Sequence, residues 1–390
     1  MLRCARQRPL GPRDSQSEAM RLAISTGGGD APGLNGVIRA VVLSAVRRGW
    51  EVIGIRNGYQ GLLVEDDRLL LRLDRESVRG IAHLGGTILG TTNRGDPFNY
   101  PVEQNGQLVP MDLSGRLVQR VHELGIDALI SLGGDGSMSL AMRLLERGVP
   151  RVIGVPKTID NDLHGTDITF GFETAVATAT DAIDKLHTTA ASHQRVMVVE
   201  LMGRYAGWIA LHAAISGGAD VVLIPEIPFD MAAVCAKIER RYATGREFAI
   251  VVVAEGAAPK GGEKVFKGER GEFKEHALLG GLAERVAKEI GERTGRETRS
   301  LVLGHLQRGG APVTSDRMLA ARLGCAATRC VEQSQISGMV ALVCGQVKLI
   351  PFAELPTGPR LVDPATSDIV RSGRELGMCF GDEPPGTFAL

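Results

Sequence analysis

A short polar stretch, GVPKTIDNDLHGTD at residues 154–167, follows an apolar run and contains three aspartates and one lysine, Lys157. Phosphoryl transfer to an alcohol requires a base for the hydroxyl proton, and an aspartate performs this role in kinases. Side chains two residues apart in an extended chain point to the same side, so Asp160 and Asp162 are predicted to share one site. One acid would take the proton while the other steadies a metal ion or the loop. The alternative to a catalytic site is that Asp160 and Asp162 are simply solvated acids of a surface loop.

A glycine-rich loop, TGGGDAPGLNG at residues 26–36, lies between a predicted strand and a predicted helix. Glycines such as Gly28 let the backbone approach a ligand closely, and the helix N-terminus offers N–H groups to a phosphate. The loop matches neither GxGxxG nor GxxxxGK(S/T), so it is not a standard dinucleotide or Walker loop. On the glycines alone, an ordinary tight turn is an equal alternative.

Two further loops have the same character. SLGGDGSM (131–138) places glycines on both sides of Asp135. Glycine-lined backbone suits phosphates and a carboxylate there suits Mg²⁺ bridging them, so we favour a ligand site over an aspartate that caps a helix. LGGTILGTTNRGDPF (84–98) adds Arg94, whose guanidinium group suits a polyphosphate. Taken alone, that stretch is better interpreted as a solvated loop.

Arginines also follow two later strands, in ELMGRYAGW (200–208) and GHLQRGG (304–310). Arg204, His305 and Arg308 suit a sugar phosphate, although a lone arginine of this kind is usually a surface residue. Glu255 ends another buried strand and is placed to accept hydrogen bonds from sugar hydroxyls. Two more arginines precede strands without an evident local partner, Arg195 and Arg299.

The composition excludes several classes of function. A chain of 390 residues suits about two domains. Zero net charge and 4% aromatic residues argue against a nucleic-acid surface. The six cysteines have no metal-ligand spacing and are typical of reduced cytoplasmic thiols, and no apolar run is long enough to span a membrane. Residues 1–19 are predicted to be a disordered extension.

Short apolar runs alternate with helical patterns, and this alternation predicts a doubly wound α/β fold with parallel strands. Such sheets bind ligands beyond the carboxyl ends of their strands, where every motif above lies. The predicted strands cover 21–26, 51–56, 128–132, 151–155, 195–201, 220–225, 248–255 and 300–304. The predicted helices cover 35–48, 136–148, 172–190, 207–217, 231–244, 275–294 and 314–333.

Five of these motifs occur in an order that closely resembles the 6-phosphofructokinase family: GGDAPGLN (28–35), GGDGS (133–137), TIDND (158–162), MGR (202–204) and GHLQRGG (304–310). The resemblance runs from about residue 21 to about residue 330. It implies two Rossmann-like domains with the active site in the cleft between them. The implied nucleotide-binding domain covers 20–171 and about 307–362. The implied sugar-phosphate-binding domain covers 172–306 and the C-terminal segment. It also implies transfer of a phosphoryl group to the 1-hydroxyl of fructose 6-phosphate, as in glycolysis.

The resemblance also assigns roles. Asp160 is implied to be the base, with Thr158 and Asp162 supporting the sugar and the loop. The implied nucleotide ligands are Gly28, Arg94, Gly134, Asp135, Gly136 and Ser137, with Asp135 on Mg²⁺. The implied sugar-phosphate ligands are Thr158, Ile159, Asp160, Arg195, Met202, Gly203, Arg204, Glu255, Arg299, His305, Leu306, Gln307 and Arg308. In the family, the residues that match Arg195 and Arg299 reach into the active site from a neighbouring subunit. The resemblance therefore implies an obligate homo-oligomer, a dimer or tetramer, with shared active sites.

The resemblance does not by itself give the phosphoryl donor, because the family contains ATP users and pyrophosphate users. Pyrophosphate users usually have an acid at the position of Gly136 and a lysine at that of Lys157, and this chain has the glycine and the lysine. A carboxylate at 136 would crowd and repel the α-phosphate of a nucleotide, whereas glycine leaves room. We therefore predict ATP, with a pyrophosphate-dependent phosphotransferase as the alternative. NAD and lipid kinases share GGDGS, but TIDND, MGR and GHLQRGG argue against them.

Overall fold

The computed structural model describes residues 19–64, 66–93, 95–104, 106–262, 280–384 and 386–387. Two compact units make up this part of the chain. The first consists of the described residues through Thr158, together with Leu163–Gly171 and Arg308–Gly358. The second consists of Ile159–Asp162, Phe172–Gln307 and the chain from Pro359 onward. The predicted N-terminal extension lies outside the described residues except for residue 19.

The described residues form thirteen strands and ten α-helices. The strands are β1 Arg21–Thr26, β2 Glu51–Ile55, β3 Leu70–Leu73, β4 Tyr100–Gln104, β5 Gln107–Met111, β6 Ala128–Gly133, β7 Val152–Pro156, β8 Val196–Leu201, β9 Val221–Leu223, β10 Ala249–Ala254, β11 Thr298–Val302, β12 Gly338–Val343 and β13 Gln346–Pro351. The helices are α1 Leu34–Val46, α2 Gln60–Leu63, α3 Ser114–Glu123, α4 Asp135–Glu146, α5 Phe172–His193, α6 Trp208–Ser216, α7 Met231–Ala243, α8 Leu282–Thr294, α9 Thr314–Gln333 and α10 Asp368–Glu375.

The first unit is built on a seven-stranded sheet in the order β13-β12-β7-β6-β1-β2-β3. The five inner strands run parallel, and the two edge strands, β13 and β3, pair antiparallel with their neighbours. All residues of β1 are buried, and its side chains alternate between two cores. Leu22 and Ile24 pack on the side of α1 and α9, whereas Ala23 packs on the other side with Leu129. The central strand is therefore covered on both faces, as the apolar runs predicted.

The second unit contains a four-stranded, wholly parallel sheet in the order β11-β8-β10-β9. Strands β8 and β10 are completely buried, and β11 is an exposed edge strand. The predicted α/β class with mainly parallel strands is confirmed in both units. No helix in the described parts of the chain is long and apolar enough to cross a membrane.

All eight predicted strands are present, although their ends differ from the prediction by up to two residues. The predicted helices are also present, but the one expected from 275 begins at Leu282 after Gly281, and residues 275–279 lie outside the described residues. The strands β3, β4, β5, β12 and β13 were not predicted. Strands β4 and β5 form an exposed two-stranded hairpin that lacks the continuous apolar run of a buried parallel strand.

Candidate active site

The first glycine loop, Gly27–Asp30, leaves the end of β1 beside the end of β6, because these two parallel strands are neighbours. The Gly27 N–H donates to the Leu132 carbonyl oxygen at 2.9 Å. The Thr91 hydroxyl donates to the Gly28 carbonyl oxygen at 2.6 Å. Gly28 has a φ of 77°, and a Cβ added there would lie 3.1 Å from the Lys157 ammonium nitrogen. The backbone conformation and the close approach both favour glycine at this position.

Two cations hold the same loop from within the first unit. Lys157 is only 4% exposed, and its Nζ donates to the Gly29 carbonyl oxygen at 2.5 Å. Arg308 Nη1 donates to the next carbonyl oxygen, that of Asp30, at 3.1 Å. The structure therefore places Arg308, which sequence reasoning connected with the sugar phosphate, against the loop connected with the nucleotide.

The second glycine loop meets the first. The Lys157 N–H donates to the Gly133 carbonyl oxygen at 3.0 Å, so this lysine contacts both loops. Ser137, in the first turn of α4, lies so close that a Cβ on Gly27 would be 2.9 Å from its hydroxyl oxygen. Ser137 can lie this close because residue 27 is a glycine and has no side chain. The predicted residues Gly28 and Ser137 thus belong to loops that touch.

Asp135 is the first residue of α4 and has an exposed side chain. The helix is capped by Gly134 without a side-chain hydrogen bond, so the alternative that Asp135 is the cap is wrong. Mg²⁺ is commonly held by one or two carboxylates together with substrate phosphates, and one accessible carboxylate beside a glycine loop fits that use. A Cβ at Gly136 would meet no atom within 4 Å, so the space next to Asp135 is open.

Arg94 lies outside the described residues, but its neighbours are placed. The Thr92 carbonyl oxygen accepts the Gly28 N–H at 3.1 Å. On the other side, Asp96 pairs with Arg143 at 3.7 Å. The guanidinium carbon of Arg143 also lies 3.7 Å from the ring centre of Phe98. The chain on both sides of residue 94 is therefore attached to the first unit.

The loop Ile159–Asp162, which carries the two predicted acids, belongs to the second unit. Its backbone is not extended: residues 159–160 form a turn, and Asn161 has a φ of 53°. The extended chain that was predicted to point Asp160 and Asp162 to the same side is therefore not present. Both acids are half-buried. Thr158, which ends the preceding segment of the first unit, accepts the Thr169 hydroxyl on its carbonyl oxygen at 2.7 Å.

Two strand ends lie side by side in the second unit. The Glu255 N–H donates to the Leu201 carbonyl oxygen at 2.9 Å, and the Gly256 N–H donates to the Gly203 carbonyl oxygen at 3.1 Å. The MGR motif, with half-buried Met202 and Arg204, therefore adjoins the segment that carries Glu255. The Arg204 guanidinium carbon lies 5.4 Å from the ring centre of Tyr205.

The GHLQR motif forms a short 3₁₀ turn from Gly304 to Arg308. His305 is exposed and Leu306 is 71% exposed. Gln307, by contrast, is fully buried and donates to the Gly304 carbonyl oxygen at 3.1 Å. The side chains of His305 and Leu306 face solvent in the single chain, and that of Gln307 supports the turn.

A family model described as phosphofructokinase matches residues 21–331. The chain belongs to the phosphofructokinase family. The family predicted from the five motifs is thereby confirmed. The match extends over both compact units, and it includes every residue to which a role was predicted.

Individual members of the phosphofructokinase family resemble the chain over nearly its full length. The ATP-dependent 6-phosphofructokinase of Chloroflexus aggregans is 50% identical over 368 residues, which cover 94% of this chain and 99% of that protein. The pyrophosphate–fructose 6-phosphate 1-phosphotransferase of Streptomyces coelicolor is 47% identical over 364 residues, covering 93% of this chain and all of that protein (100%).

Among solved structures, the phosphofructokinase of Pichia pastoris in the T-state superimposes with a TM-score of 0.74 at 32% identity. The alignment covers 87% of this chain but only 35% of the yeast chain, so this family member spans about a third of that protein's length.

The structure corrects one expectation about the chain. Arg195 and Arg299 were judged to lack local partners, yet both pair with Glu297. The same oxygen, Oε1 of Glu297, lies 2.9 Å from Arg195 Nη2 and 2.7 Å from Arg299 Nη2. Glu297 lies two residues before Arg299, so their ion pair is local in the sequence. Glu297 also reaches Arg195 because Arg195 precedes β8, the parallel neighbour of β11. Sequence reasoning missed the pair with Arg195 because it did not anticipate which strand would lie next to β8.

Besides Glu297, sequence reasoning also missed Arg360. It lies beyond the family match, in the C-terminal part of the second unit, and hydrogen bonds to the backbone of Asn161 and Asp162. Nearby, burial lowers the pKa of His212 below its usual value, and the positive charge of Arg360 lowers it further, whereas Asp368 opposes the shift. Arg360 has no motif of its own, so no signal in the single sequence identifies it.

Proposed function

We propose that the chain transfers the γ-phosphoryl group of ATP to the 1-hydroxyl of D-fructose 6-phosphate, giving fructose 1,6-bisphosphate and ADP. The observation that carries the proposal is the junction of the two glycine loops in the first unit, where Lys157 contacts Gly29 and Gly133. Glycine-lined backbone at strand ends suits phosphates. Relatives of nearly the same length bear the name of this activity.

In this proposal the first unit binds the nucleotide. The ligands are Gly28, Arg94 and the loop from Gly134 to Ser137. Asp135 would hold Mg²⁺, which when bound neutralises charge on the transferred phosphoryl group. Lys157 and Arg308 act on the loop itself, because Lys157 holds the carbonyl oxygen of Gly29 and Arg308 holds that of Asp30. They would fix the backbone of the loop that is proposed to lie against the phosphates.

The second unit binds the sugar phosphate and supplies the base. Asp160 accepts the proton of the 1-hydroxyl while the oxygen forms a bond to the γ-phosphorus and the bond from that phosphorus to ADP breaks. Asp162 and Thr158 support the loop. Arg204, Glu255 and His305 contact the sugar or its phosphate, together with Ile159, Met202, Gly203 and Leu306, while Gln307 supports the turn. Arg195 and Arg299 serve the site of a neighbouring subunit, so the proposed active form is a homo-oligomer. The proposed location, which is that of glycolysis, is the cytoplasm.

Replacing Asp160 by Asn tests the base. Loss of a general base costs about 10²–10⁴-fold in rate, so kcat should fall by that factor with fructose 6-phosphate and ATP. Asp167→Asn is the matched control, since this aspartate lies in the same polar stretch with an exposed side chain. A wild-type kcat in Asp160→Asn would remove Asp160 from the mechanism.

The second candidate is a pyrophosphate-dependent phosphotransferase acting on the same sugar. The name of the Streptomyces coelicolor relative favours it, and Lys157 matches the lysine that pyrophosphate users of the family usually have at this position. Turnover of fructose 6-phosphate with ATP and with pyrophosphate, measured side by side on one preparation, separates the two. Turnover with pyrophosphate alone would replace the ATP proposal.

A further inference from the structure

Arg360 contacts the loop that carries the proposed base. Its Nε and Nη2 donate to the Asn161 carbonyl oxygen at 3.2 Å and 2.8 Å. Its backbone N–H donates to the carbonyl oxygen of Asp162 at 2.8 Å. One residue therefore holds two consecutive carbonyl groups of the loop, and all of these groups belong to the second unit.

The loop has a conformation that depends on such contacts. Asn161 is 5% exposed and lies in the left-handed region, with a φ of 53°. This region is unfavourable for residues other than glycine, although asparagine tolerates it better than most. Such conformations persist when the surroundings determine them. A guanidinium group suits this purpose because its planar fork orients an acceptor more closely than a single ammonium does.

Arg360 is itself fixed in place. The Trp208 indole N–H donates to the Arg360 carbonyl oxygen at 2.9 Å, and the Arg360 guanidinium carbon lies 4.9 Å from the Trp208 ring centre. Stacking of this kind is favourable for an arginine. Two residues later, the N–H of buried Val362 donates to Glu226 Oε1 at 2.9 Å. The segment is thus attached at Arg360 itself and again two residues later.

We propose that Arg360 is a positioning residue that orients Asp160 by fixing the peptide group of Asn161. The inference rests on the proposed function, in which Asp160 takes the proton of the 1-hydroxyl. Asp160 directly precedes Asn161, so the dihedral angles of Asn161 set the path of the chain on which the base is carried. Misplacement of a reacting group by about 1 Å costs about 10²-fold in rate. The C-terminal segment therefore takes part in catalysis through the loop.

The test compares Arg360→Met and Arg360→Lys with Arg371→Met, a matched control at an exposed position of α10. In Arg360→Met, kcat should fall by about 10²-fold while KM for ATP stays at the wild-type value. Arg360→Lys should recover part of the loss, because a lysine can donate to Asn161 but cannot present the fork. In a third variant, Arg360→Ala, free guanidinium ion at millimolar concentration should raise kcat. The same ion should leave the wild-type kcat unchanged.

A wild-type kcat in Arg360→Met, while Asp160→Asn is inactive, would overturn the inference and leave the proposed function intact. A wild-type kcat in Asp160→Asn would instead contradict the proposed function. If Arg360→Met does not fold, Arg360→Lys decides: a lowered kcat at the wild-type melting temperature supports the positioning role, and an unchanged kcat overturns it.

Discussion

The ammonium group of Lys157 donates to the carbonyl oxygen of Gly29 at 2.5 Å, inside the first unit and almost completely shielded from solvent. Sequence reasoning treated this lysine as an argument for a pyrophosphate donor. The structure shows that its charge is used beneath the glycine loop, on a backbone oxygen. A lysine in this position is compatible with either donor, because it shapes the loop that both donors would contact.

Replacing Lys157 by Met keeps the length of the side chain and removes the charge. A hydrogen bond to a charged group contributes about 1.5–3 kcal/mol, so the Gly29 carbonyl group should be held less firmly. We expect KM for ATP to rise about tenfold or more, since each 1.4 kcal/mol is a factor of ten. Steady-state kinetics measure this, with Lys348→Met, an exposed lysine of β13, as the control. A wild-type KM for ATP in Lys157→Met would contradict the loop role.

Replacing Gly136 by Asp tests the donor assignment. The position is open and lies in the first turn of α4, where an aspartate is favourable, so the fold should be kept. The added carboxylate should repel the nucleotide. Juxtaposed like charges cost on the order of several kcal/mol, so KM for ATP should rise at least about tenfold, while pyrophosphate, which has no α-phosphate or nucleoside, should be less affected.

Gly115→Asp is the matched control for that substitution. Gly115 is also the second residue of a helix, α3, is exposed, and would bring a Cβ within 4 Å of no other atom. Its replacement should leave both donors unaffected. Equal weakening of ATP use in the two variants would mean that the Gly136 effect is not specific to the nucleotide.

Mixed oligomers test whether Arg299 serves a neighbouring subunit. Arg299→Met and Asp160→Asn should each be nearly inactive alone. When the two chains are co-expressed and assemble at random into dimers, about a quarter of the sites combine an intact Asp160 with an intact Arg299 from the partner. Activity of that order in the mixture supports shared sites. Arg296→Met, which removes a nearby arginine paired with Glu239, is the control for KM of fructose 6-phosphate. A mixture no more active than its components would assign both residues to the same chain.

Stability should depend on pH through His212, because burial lowers its pKa in the folded chain. The unfolded chain binds a proton near pH 6.5, whereas the folded chain binds it only at lower pH. Between these two values the unfolded state carries more protons, so the free energy of unfolding should fall as the pH falls below about 6.5. Denaturant unfolding at a series of pH values should show a shallower slope in His212→Gln than in the wild type or in His83→Gln, an exposed control. An unchanged slope in His212→Gln would contradict this source of pH dependence.

The fold class followed from local pattern. Continuous apolar runs such as residues 249–254 predict strands buried on both faces, and the structure confirms them because burial on both faces requires apolar side chains at every position. Strands β4, β5 and β13 were missed for the same reason. Strand β13 has no fully buried residue, and β4 and β5 are almost entirely exposed, so none of the three has the continuous apolar run of a strand buried on both faces.

For the site, the sequence alone determined which residue types stand at strand ends: the glycines around Asp135, the acids at 160 and 162, and the arginines of MGR and GHLQR. These are local properties, since a motif occupies consecutive residues. Only the tertiary structure decided which of them touch. Lys157 reaches Gly29 across 128 positions of the chain, Arg308 reaches Asp30 across 278, and Arg360 reaches Asn161 across 199. Such contacts depend on how distant segments pack, and because a lone lysine or arginine has many possible partners, its sequence position does not reveal which carbonyl oxygen it will bind.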